Sequence, residues 1–257
     1  MERAAQLVVG GLILVGAAVM VAVDPIPQDL AYHDFADRRQ LLGIANFSDV
    51  ISNLPFLVVG VAGLFFLWGQ RGNGAFVDRE EERPFMVFFA GVALTAFGSA
   101  YYHLAPDNAR LVWDRLPLTL VFTAFLAATL SERIAARAGL RVLWPLVALG
   151  AASVAYWHWS ESRGMGDLRP YVVVQFYPLL ALLILIVFFP PRYTRAMDLL
   201  GAAGWYAAAK VCEVLDRAIF SLGEVISGHT LKHCAAAMAT YWVLRMLKKR
   251  LPVAENC

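Results

Sequence analysis

Eight apolar segments, each about as long as the α-helix that crosses a bilayer, leave this chain few folds to choose from. They fall at about 5–23, 47–69, 85–104, 115–133, 141–159, 170–190, 197–220 and 229–247. An α-helix covers the roughly 30 Å hydrocarbon core in about 20 residues. Within lipid each backbone N–H and C=O must find a partner, and a helix supplies one inside its own segment. The chain has 257 residues, 60% of them hydrophobic and 16% charged, so the reading is an all-α, multi-pass membrane protein. Its net charge of +2, with 22 Lys and Arg spread over loops and tail, argues against nucleic acid as a partner. Cys212, Cys234 and Cys257 are an odd number without a C-x-x-C pair, so neither a disulfide framework nor a thiolate metal site is expected. The first segment follows only Glu2 and Arg3 and ends in Val21-Ala22-Val23-Asp24, a weak signal-peptidase pattern; it reads as an uncleaved anchor helix within residues 1–30.

Polar chemistry gathers at the segment ends. Ser99 and His103 close the third segment, Asp114 opens the fourth, and His229 and His233 open the last. Ser99/His103 and His229/His233 are i,i+4 pairs, so each pair shares a helix face one turn apart. Three imidazoles with one open position are the ligand set of a catalytic zinc ion. Magnesium or calcium would want mostly oxygen ligands, whereas nickel, copper and iron share zinc's ligand type.

For these histidines to meet, the charged segment 197–220 must cross the membrane. If it does, His229 opens an eighth helix on the face where His103 ends the third; if not, the bilayer separates them. The expectation is therefore one extra N-terminal helix, a seven-helix core over 31–250 and a tail over 251–257. Lys210, Glu213 and Arg217 recur at i, i+3 and i+7, so Lys210 or Arg217 is expected to pair with Glu213 inside the bundle; Asp216 adds a fourth charge. Basic residues on the N-terminal side are Arg3, Arg71, Arg79, Arg83, Arg133, Arg137, Arg141, Arg192, Arg195, Arg245, Lys248, Lys249 and Arg250. Opposite are Arg38, Arg39, Arg110, Arg115, Arg163 and Arg169. The positive-inside rule then puts both termini in the cytoplasm and the histidines near the extracytoplasmic face.

Ser227 reads as the N-cap of the last helix, holding His229 in its first turn. His158, within Tyr156-Trp157-His158-Trp159, belongs to an interfacial aromatic belt. His33 lies in the polar loop after the first segment, which binds a second cation, covers the site or is a solvated loop with a helix cap.

Gly98-Ser99-x-x-x-His103, Trp113-Asp114-Arg115-Leu116-Pro117, His229-x-x-x-His233 and Asn46-Phe47-Ser48-Asp49-Val50-Ile51-Ser52-Asn53 together resemble the alkaline ceramidases. More broadly they resemble the CREST superfamily of seven-helix membrane hydrolases, over roughly residues 30–250. The resemblance implies a zinc ion on His103, His229 and His233, with Asp114 and Ser99 near its bound water. It implies hydrolysis of the amide of ceramide or a related N-acyl lipid, Asp114 carrying the proton and Ser99 donating to the oxyanion. Zinc would lower the pKa of its water towards about 7. The adiponectin-receptor-like members imply an alternative, a receptor or sensor with a mainly structural zinc. Ceramidases similar in the core carry an acidic, Trp-containing calcium segment. Here Tyr32-His33-Asp34-Phe35-Ala36-Asp37 stands in its place, and Ca2+ would rest on Asp37 and Asn46. The extra N-terminal helix is a second departure from that family.

Overall fold

A computed structural model describes residues 2–69 and 76–253; Arg71 and Cys257, named above, lie outside the described residues. The chain is all-helical, 76% helix, with no strand among the described residues. Its helices are α1 (Glu2–Ala22), α2 (Phe47–Ile51), α3 (Leu54–Gly69), α4 (Glu82–Leu104), α5 (Asn108–Arg133), α6 (Ala136–Ser162), α7 (Arg169–Phe188), α8 (Asp198–Val214), α9 (Asp216–Phe220) and α10 (Gly228–Lys249). Among the described residues five stretches are long and apolar enough to cross a membrane: Phe47–Gly69, Arg79–Leu104, Asn108–Arg133, Ala136–Ser162 and Arg169–Phe188.

Local chemistry sets the helix ends. The Asp107 carboxylate accepts from Arg110 N at 2.7 Å, so α5 starts a full two turns before its apolar stretch. The second apolar segment is two helices, α2 and α3, divided at Ser52 and Asn53. In the charged segment the helix stops at Val214, and α9 begins after Leu215.

α5 is the central staff. In its most apolar window 67% of residues are buried, against 39% for α6 and α7, and it packs on α4, α6 and α7. α10 lies between α3 and α8, so the elements bearing His103, Asp114 and the last two histidines converge at one end of the bundle. A single glycine permits the closest α4–α5 approach. A Cβ on Gly98 would stand 2.0 Å from the Trp113 carbonyl oxygen. That carbonyl is the one whose helical donor is missing, because residue 117 is a proline inside α5. Gly98 and Pro117 thus bring Ser99 and Asp114 together.

α1 packs against α7 and α6. The Arg169 guanidinium donates to the Met20 carbonyl at 2.9 Å and to the Val23 carbonyl, filling acceptors that the end of α1 leaves free. Both oxygens of Asp167 accept from Arg169 at 2.8 Å, and this neighbour holds the Asp167 carboxyl below the usual carboxylate range.

Candidate functional site

His103 enters from the last turn of α4, His229 and His233 from the first turns of α10, and all three are buried. Their ligand atoms lie within 4.8 Å of one another, a group able to hold a metal ion. The Nε2 atoms of His103 and His229 stand 3.3 Å apart, close to what two imidazoles on one tetrahedral ion need, about 3.3 Å at bond lengths of roughly 2.0–2.1 Å.

The surroundings prepare these rings. Ser52 Oγ donates to the Asp49 carbonyl at 3.1 Å, so its contact with His233 Nδ1 at 2.7 Å receives a proton from the ring. That fixes the His233 tautomer and leaves Nε2 unprotonated towards the cluster. Ser227 caps α10 as its sequence position implied, accepting from Thr230 N at 3.0 Å. Asp49 Oδ1 receives the hydroxyls of Ser227 and Thr230, tying α2 to the start of α10. Asp216 accepts from His229 N at 2.8 Å through one oxygen and from Ala36 N at 2.9 Å through the other. Three neutral imidazoles converging without a carboxylate, one with its outer nitrogen already satisfied, fit a borderline-soft divalent ion.

Asp114 and Ser99 are both buried. Both line a cavity of about 170 Å³ that His233 also reaches. Phe56, Thr95, Phe122 and Tyr206 are shared between this chamber and a neighbouring one of about 90 Å³ lined almost wholly by apolar side chains, among them Phe88, Val92, Phe125 and Leu182. The polar chamber therefore shares a wall with an apolar slot.

The loop before α2 covers the histidines. The Phe35 ring lies 4.7 Å from that of His103 and 4.3 Å from that of His229, and is itself buried. His33 is committed to structure: Asn108 Oδ1 accepts from its Nε2 at 2.9 Å, so Nδ1 accepts from the Tyr102 hydroxyl at 2.8 Å. Asp37 and Asn46 are engaged separately. Arg39 donates to both Asp37 oxygens, at 2.8 and 2.6 Å, holding this carboxyl below the usual range. Asn46 Nδ2 donates to the His103 carbonyl at 2.8 Å, closing the end of α4. Neither residue is gathered into a cation site by these contacts. His158 is exposed, as an interfacial residue would be.

Within the charged segment Lys210 pairs with Glu213, as their shared face implies. Arg217 pairs instead with Asp34, because the break at Leu215 takes it out of register with α8. Lys232, between the two histidines of α10, also pairs with Glu213, at 2.6 Å, and lines the polar cavity. Its position in an apolar helix was the signal for a role in the bundle interior. Arg115 was counted above with the loop charges, yet it is buried against the same cavity. Compared with known proteins, the chain matches no family model and no curated protein.

Proposed function

We propose that this protein is a zinc-dependent membrane hydrolase that cleaves the amide bond of ceramide or a related N-acyl lipid. The observation that carries the reading is the polar cavity itself, lined by Ser99, Asp114 and His233 and sharing a wall with an apolar slot. In this reading the slot takes an acyl chain and the polar chamber its amide. The motif resemblance to the alkaline ceramidases supports the same reaction class.

His103, His229 and His233 would hold the ion through ring nitrogens. Zinc bound there supplies Lewis acidity that makes water an effective nucleophile near neutral pH. Asp114 would take the proton from the attacking water and return it to the departing amine. The Ser99 hydroxyl would donate to the oxygen of the attacked carbonyl as it gains negative charge. Phe35, over two of the imidazoles, keeps bulk water from that side of the cluster.

In this account the chain crosses the membrane eight times, as an N-terminal helix and a seven-helix core over 31–250. Both termini are cytoplasmic and the site lies near the extracytoplasmic face. The pairing of Lys210 and Lys232 with Glu213 is what makes a crossing by α8 affordable.

The test is incubation of detergent-purified, zinc-loaded protein with a panel of N-acyl lipids, reading released fatty acid by mass spectrometry. Turnover is expected from the wild type. Asp114→Asn should retain zinc and melting temperature while losing about 10²–10⁴-fold in rate. Zinc-loaded protein that releases no fatty acid from amides would overturn the hydrolase reading and favour a sensor with structural zinc.

A further inference from the structure

We propose that Arg115 is the anion-recognition residue of the polar cavity and that the lipid substrate carries a carboxylate or phosphate in its head group. The proposal rests on the amidase reading for the reaction and adds the class of head group.

Arg115 is only 5% exposed and lines the cavity that holds Ser99 and Asp114. Its guanidinium carbon lies 4.2 Å from the ring centre of Trp157, 4.8 Å from that of Tyr171 and 5.8 Å from that of Tyr32. One terminal nitrogen, Nη2, donates to Gln28 Oε1 at 2.6 Å. The other, Nη1, is buried and meets no acceptor among the described residues. Two other buried arginines are answered by acids, Arg169 by Asp167 and Arg250 by Glu132, and the buried Arg133 donates to the Phe189 carbonyl at 2.8 Å. Arg115 has no such ion pair among the described residues.

A buried guanidinium with an unmet donor is costly unless a ligand completes it, and carboxylate and phosphate oxygens match its fork. The aromatic rings hold the cation in place without neutralising it. Elsewhere in the lining, Lys210 and Lys232 both attend Glu213, so the cavity's three cationic side chains face two acidic ones. The chamber therefore favours a negative head group, while the apolar slot takes the acyl chain.

Three lipids with one acyl chain separate the possibilities: N-dodecanoylglycine, N-dodecanoylethanolamine phosphate and neutral N-dodecanoylethanolamine. Dodecanoate release by zinc-loaded wild type gives kcat/KM for each. Thermal stabilisation of Asp114→Asn by the same lipids gives binding without turnover. Charge-assisted hydrogen bonds predict that one or both anionic lipids exceed the neutral one by about 10–100-fold. Carboxylate and phosphate arms identify which anion is read. Arg115→Gln should bring the anionic-to-neutral ratio near unity, and Arg115→Lys should restore part of it. Equal kcat/KM and equal stabilisation for all three lipids in wild type would overturn the proposal whether or not the variants fold. An unchanged ratio in a folded Arg115→Gln would overturn it too. Anion-selective stabilisation without dodecanoate release sustains the head-group assignment and overturns the amidase reading; unselective stabilisation and release do the reverse.

Discussion

Replacing Ser52 by alanine removes an acceptor that helps to fix the His233 ring. Ser52 Oγ takes the Nδ1 proton of His233 at 2.7 Å and passes its own to the Asp49 carbonyl at 3.1 Å, and all three residues are buried. In the variant the imidazole N–H is left without that partner, a loss of about 1–3 kcal/mol. The ring can then rotate or change tautomer, so part of this loss falls on metal binding. Partners of this kind are worth about 10–100-fold in metal affinity, or about 1.4–2.7 kcal/mol. The two ranges agree. Zinc affinity is measured by competition against a chromophoric chelator, with Ser162→Ala, an exposed serine on α6, as the control. Zinc affinity in folded Ser52→Ala within about twofold of wild type would refute the assignment of the tautomer to Ser52.

Gly98→Ala places a methyl against the Trp113 carbonyl and should force α4 from α5, costing about 1–3 kcal/mol in stability; an unchanged denaturation midpoint would show that the approach is loose. Ser227→Ala should cost about 1–2 kcal/mol, because the hydroxyl serves both Thr230 N and Asp49, and thermal melts of the detergent-solubilised protein check it. Asp37 has a depressed folded pKa, so its contribution is full above the unfolded value of about 4 and fades as pH falls through the folded one. Asp37→Asn should therefore melt earlier than wild type near neutral pH and converge with it in acid; a gap that widens on acidification contradicts the Arg39 pairing.

The helical plan and the three histidines were legible because their signals are local. Apolar length marks a span, and i,i+4 spacing puts His229 and His233 on one face. Convergence of His103 with them followed from requiring one metal to serve all three. The pairing of Lys210 with Glu213 followed from helical periodicity, but the same periodicity misplaced Arg217. Nothing in the composition near Leu215 announces that the helix breaks there, and the break hands Arg217 to Asp34. Arg115 was hidden for a different reason. At the edge of an apolar run an arginine reads as an interfacial charge, and only the tertiary meeting of Gln28, Trp157 and Tyr171 reveals a buried one. The polar loop left open whether it covers the site; that Phe35 does so depends on contacts with His103 and His229, distant in sequence.

Zinc-edge X-ray absorption on the detergent-purified protein addresses the metal centre most directly. The account predicts one zinc per chain with three imidazole nitrogens at about 2.0–2.1 Å and a single further oxygen ligand, lost together in His103→Ala, His229→Ala or His233→Ala. A protein purified without bound metal after zinc supplementation, or zinc whose coordination survives those substitutions, would contradict it.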